Sequence, residues 1–162
     1  MLFDGIFATG GITLSQVCIM TGLEPYLIQN WIKRGFVTSP VGRVYSREQF
    51  ARVVIINMLK QALQIDRICG LIQVIAGVPH DRNDDLVRDD ELYHLYVDML
   101  AEGGIDVCDE KSVEEAALRA TEGYVEPIPG ARKTLCKILS AMLYAHHAGR
   151  LANLSDRILL TI

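Results

Sequence analysis

The chain has 162 residues, half of them apolar and 22% charged, with a formal net charge of −4. That balance excludes a disordered chain, and the absence of any uninterrupted apolar run of roughly 18 residues excludes a helical membrane span. It allows one ordinary core, or a small module with an appended partner, without disulfide staples.

The opening MLFDGIFATGGI carries an acid where a secretory leader needs a basic start, so the expected location is the cytoplasm. Thr13 and Gln16 have the spacing of a capping box, in which hydroxyl and amide satisfy each other's orphan backbone donors. They predict a short helix from Leu14 to about Met20, ended by Gly22. A second helix is predicted from near Glu24, with Pro25 tolerated in its first turn, to Arg34, where Gly35 stops it. Leu27, Ile28, Trp31 and Ile32 fall on one side of this helix, while Tyr26, Gln29, Asn30 and Lys33 recur at i, i+3, i+4 and i+7 on the other. Trp31 reads as a core pin, and its polar neighbours as an outward stripe. Two short helices separated by a few residues, one of them striped, make a helix-turn-helix candidate.

Thr38, Ser39, Pro40 and Gly42 are turn formers flanked by β-branched residues, which predicts a small hairpin or wing over Val41 to Tyr45. Ser46 then caps a helix predicted from Arg47 to about Leu63, apolar round most of its circumference and therefore central. Further helices are predicted over Gln64 to Ala76, closed by Gly77 and Pro79, and over Glu91 to Glu102, with a charged connector from His80 to Asp90. Ser112 and Glu115 repeat the capping-box spacing ahead of a helix from Val113 to about Thr121. The last predicted helix runs from Ala131 to about Ala148, with Gly149 as its cap. Its stripe of Leu135, Ile138, Leu139, Met142 and Leu143 is the candidate dimer interface. The final SDRILLTI is left as a short helix or strand able to dock on a partner.

Residues 1 to 63 hold six basic and three acidic side chains, and the remainder ten and seventeen. A net +3 front and a net −7 rear point to a nucleic-acid-facing end and a partner-facing or solvated end. The four cysteines, Cys18, Cys69, Cys108 and Cys136, lie far apart in apolar patterns, which predicts reduced, mostly buried thiols. His146 and His147 point about 100° apart on a helix and cannot chelate as an i, i+4 pair does. The aspartates between Asp81 and Asp90 lack the central glycine and terminal glutamate of a calcium loop. No nucleophile elbow or phosphate-binding glycine loop is present. The expectation is a protein that is not an enzyme and uses no metal or cofactor.

The order of helix, turn, striped helix, glycine, apolar pair, wing and serine-capped helix resembles the winged helix-turn-helix of MerR-type bacterial regulators. The residues that carry it are LSQVCIMTGLEPYLIQNWIKRGFV, GRVYS and REQFARVVIINMLKQALQIDRICGLI. The whole chain is similar to a family of small uncharacterised bacterial proteins with such a front and a helical rear half. The resemblance implies a mainly α fold: a winged helix-turn-helix with a small β wing over residues 1–78, then an all-helical dimerisation or signal-receiving region over 79–162. It implies a cytoplasmic, homodimeric, sequence-specific transcriptional regulator of double-stranded DNA, its recognition helix in the major groove and its wing on the phosphate backbone. Tyr26, Gln29, Asn30, Lys33, Arg43 and Tyr45 are the implied DNA-binding side chains. Gln29 stands where the family usually has an arginine, and Ile32 where it has an acid. An alternative stays open: a helical adaptor protein that keeps a degenerate winged helix only as a scaffold.

Overall fold

The structure, a computed structural model, describes residues 2–8, 10–76 and 85–162. They are mainly helical, with a two-stranded antiparallel sheet, and they divide into two compact units, Met1–Asn57 and Met58–Ile162. The boundary expected at 78/79 and the helix stop at Gly77 and Pro79 lie outside the described residues.

The front unit contains α1 (Leu2–Phe7), β1 (Ile12–Thr13), α2 (Leu14–Thr21), α3 (Pro25–Lys33), β2 (Val44–Tyr45) and most of α4 (Arg47–Leu59). The predicted capping box starts α2: Thr13 N donates to Gln16 Oε1 at 2.8 Å, and Gln16 N to Thr13 Oγ1 at 3.4 Å. Gly22, at φ 68°, ends the helix. Trp31 is buried, and its carbonyl accepts from the amides of Phe36 and Val37, which turns the chain back at the end of α3. Ile12, Val17, Ile28, Val37, Phe50 and Val53 complete the core around it.

The sheet pairs β1 with β2, Ile12 opposite Tyr45 and Thr13 opposite Val44. A two-residue strand is too short for an alternating pattern, so β1 was invisible to periodicity. The hairpin expected over Val41 to Tyr45 is present as a tight turn: Val41 bridges Val44, and Val44 N donates to Val41 O at 3.1 Å. Gly42 and Arg43 both take positive φ, 59° and 66°, as a type I′ turn demands at its two central positions.

Ser46 caps α4 as predicted, and Gln49 completes a second capping box: Ser46 N donates to Gln49 Oε1 at 2.9 Å and Gln49 N to Ser46 Oγ at 3.2 Å. The free end of the same amide, Gln49 Nε2, lies 3.0 Å from Thr38 O, Thr38 Oγ1 and Ser39 O, so it also anchors the loop that leads into the turn. Asn57 Nδ2 donates to Thr21 O at 3.1 Å and ties α4 to α2. The helix ends at Leu59 instead of near Leu63. The carbonyl of Leu59 accepts from both Ala62 N and Leu63 N, a tight turn inside a pattern that stays apolar through the break.

The rear unit holds α5 (Ile65–Ala76), α6 (Asp89–Glu102), α7 (Glu110–Ala120) and α8 (Ala131–Leu159). α6 packs on α7 and α7 on α8. Leu92, Tyr96 and Met99 of α6, and Val113, Ala116 and Ala117 of α7, are buried with the α8 stripe. Two helix ends differ from expectation. α7 starts on Asp109, whose Oδ1 accepts from Lys111 N at 3.1 Å, while Ser112 Oγ turns aside to accept from Asp106 N at 3.0 Å. α8 runs through Gly149 to Leu159, because this glycine is helical and buried instead of left-handed. Among the described residues no helix is long and apolar enough to cross a membrane.

Candidate nucleic-acid interface

α3 sorts its side chains as its spacing predicts. Ile28 and Trp31 are buried, while Tyr26, Gln29, Asn30 and Lys33 are exposed along one face. Pro25 at the first turn gives up no hydrogen bond there, and Lys33 sits in the last turn, where a cation is favoured by the helix dipole. Arg34, the next residue, lies over the Phe36 ring at 4.5 Å, so it is engaged in the fold.

Arg43 is exposed at the tip of the turn, with exposed Val41 and Val44 on either side. Among the described residues neither Lys33 nor Arg43 takes part in an ion pair.

Tyr45 corrects the sequence reading: it is 2% exposed and cannot touch DNA. The cause is strand alternation, which sends Val44 outward and Tyr45 inward. Burial, with the nearby Cys18 thiol adding, holds its phenol above the ordinary tyrosine pKa. The site as folded is therefore five side chains, Tyr26, Gln29, Asn30, Lys33 and Arg43, of which two are cations.

The expected dimer stripe is also placed inside. Leu135, Leu139, Met142 and Leu143 are 0% exposed and Ile138 is 5% exposed in the single chain. The stripe is consumed by the rear unit's own core and leaves nothing for a second copy. Periodicity reports that a face is buried, not what buries it. Cys108 is exposed where a buried thiol was expected, since it lies in the turn before α7; Cys136 is buried. Among the described residues no group of three or more His, Cys, Asp or Glu side chains could hold a metal ion.

Residues 14–96 match a family described as a domain of unknown function, DUF1836. The chain belongs to that family. It is also 29% identical over 118 residues to the "Uncharacterized protein YkrK" of Bacillus subtilis (strain 168), an alignment covering 68% of this chain and 51% of that protein. The chain thus spans about half the length of the curated relative it matches. No solved structure gives a significant match. The family segment takes in all five exposed candidate side chains and ends at Tyr96, within α6.

Sequence reasoning missed Gln49 and Val41. Gln49 was legible as the second half of a capping box three residues after Ser46. Val41 had no signal, because its exposure depends on which of its neighbours turns inward.

Proposed function

We propose that the front unit is a winged helix-turn-helix of the MerR type, and that the protein is a non-catalytic, sequence-specific DNA-binding regulator. The observation that carries this reading is the outward polar face of α3, set on a helix whose opposite face is locked by Ile28 and Trp31. A rigid helix offering two amides suits base recognition. Gln29 and Asn30 can each pair bidentately with adenine N6 and N7 in the major groove. Lys33 and Arg43 supply phosphate contacts, which set register and give salt-dependent affinity. With two cations, Lys33 and Arg43, on this face, the non-specific affinity is low, so specific base contacts and a second module have to supply the rest.

The test is fluorescence anisotropy with duplex fragments selected from genomic DNA by the protein itself. Asn30→Ala is expected to weaken binding to the selected site about tenfold or more, at roughly 1–3 kcal/mol per bidentate pair, while leaving random DNA nearly unaffected. Failure to enrich any fragment, or binding indifferent to salt, removes the regulator reading. The adaptor reading is favoured by one observation: Ile19, Tyr26 and Val41 are all large and exposed on this unit. It gains if the unit captures protein but no DNA.

A further inference from the structure

From Arg150 to Leu159 every residue of α8 is exposed. The helix meets its own unit on one side. A Cβ on Gly149 would lie 3.0 Å from Gln61 Cβ, and Asn153 Nδ2 donates to Gln61 Oε1 at 2.6 Å. At about 100° per residue, the side diametrically opposite those two positions carries Leu151, Leu154 and Ile158. They are 64%, 43% and 64% exposed; the line continues back to Tyr144 at 38%, and past the helix end at Leu159 the chain adds Ile162 at 97%.

The spacing is informative. Positions 144, 147, 151, 154 and 158 alternate steps of three and four, the narrow seam of a coiled coil, with half-buried His147 as its one polar member among Tyr144, Leu151, Leu154 and Ile158. Nearer its start the same side of α8 bears exposed Lys133 and Lys137, so the apolar seam is confined to the second half. An isolated stretch of this length is marginal as a helix in water, and it is stabilised when such a seam is covered.

We infer that this seam binds a second copy of the chain, α8 against α8 in parallel register. Two observations choose that occupant. The first is area. At on the order of 100–150 Å² for a fully exposed side chain of this size, the apolar side chains Tyr144, Leu151, Leu154, Ile158 and Ile162 offer roughly 400 Å² of apolar surface per copy. Interfaces of this kind are about two-thirds apolar, so the whole contact removes roughly 1,200 Å² from water, at the lower end for a specific dimer. The second is charge. Arg150 and Arg157 share one flank of the seam, with Ala148 and Ser155 on the other. In a parallel pair opposite flanks meet, and Arg150 faces Ser155 of the second copy. An antiparallel pair sets arginine against arginine. This association stands apart from whatever the front unit binds.

The experiment is sedimentation equilibrium of the full chain from about 1 to 200 µM. The parent is expected to approach twice the 18.0 kDa of one chain as concentration rises. Leu154→Asp and Ile158→Asp, both at exposed positions, are expected to stay monomeric with an unchanged circular dichroism spectrum. For register, a Cys108→Ser background removes the exposed native thiol. There Leu154→Cys is expected to form disulfide-linked dimers under mild oxidation, and Asp156→Cys, on the far side, is not. A parent that stays monomeric over the whole range, including one whose seam inserts into anionic vesicles instead, overturns the proposal. So does a dimer indifferent to both aspartate variants, and equal cross-linking from Asp156→Cys overturns the seam.

Discussion

Arg43 sits at φ 66°, a backbone region where an L side chain crowds the following carbonyl, at a cost of roughly 1–2 kcal/mol. Asparagine tolerates that conformation better. Arg43→Asn is therefore expected to raise the unfolding free energy by roughly 0.5 kcal/mol, read as a slightly higher urea midpoint, while it weakens DNA binding. Opposite signs in the two measurements mark a residue held for contact; a variant less stable than the parent shows instead that the arginine stem packs on the turn. Gly11, just ahead of β1, makes the complementary case. At φ 140°, a Cβ there would lie 2.3 Å from Val44 Cγ1 and 2.7 Å from Tyr45 O. Gly11→Ala is expected to lower stability by roughly 1–3 kcal/mol in thermal unfolding, because β1 and β2 must part to admit the methyl group.

The ends of α2, set by local chemistry, were legible in the sequence, and ends that depend on distant neighbours were not. Thr13 and Gln16 start α2 within one turn of chain, and Gly22 stops it, so both ends could be read directly. Gly149 is the opposite case. It looks like a helix stop, yet α8 runs through it, and its missing Cβ leaves room for Gln61, a close approach that no local pattern reveals. Gly149→Val is expected to destabilise the rear unit by roughly 1–3 kcal/mol in denaturant unfolding. The polar face of α3 was legible from its spacing, whereas the inward turn of Tyr45 depended on the register with Ile12. Between α6 and α8 the link is a hydrogen bond of 2.8 Å between Tyr96 OH and His146 Nδ1. Burial pushes the Tyr96 phenol well up, so it stays protonated and can donate to a neutral imidazole whose Nδ1 carries no proton. Burial first, then His147 and Arg150, lower the His146 pKa below 6.5. The unfolded chain thus binds a proton more readily than the folded one. Stability from this group is complete above pH 6.5 and is lost as pH falls through 6.5 toward the lower folded value. Thermal midpoints measured from pH 7.5 to 5 are expected to fall, and to fall less in His146→Gln; parallel curves remove His146 as the source.

At the scale of the whole chain, the charge is divided between a front segment of net +3 and a remainder of net −7. A polyanion is attracted by the front segment and repelled by the remainder. The contacts themselves are few. If Lys33 and Arg43 each neutralise one phosphate, a single front unit releases about two counterions, and log affinity against log salt falls with a slope of about −1.8. If the α8 seam lets the front units of two chains reach one duplex, the slope doubles to about −3.6. The parent, titrated above its association concentration, is therefore expected to follow the steeper line. Leu154→Asp, whose front unit is untouched, is expected to follow the shallower one, and Lys33→Ala in that monomeric background to lose about half of what remains. Because each slope counts phosphates and not affinity, the series separates the two proposals. A parent slope near −1.8 with dimeric mass means that only one front unit reaches the DNA, and a zero slope at either mass leaves the seam intact while removing DNA as the partner.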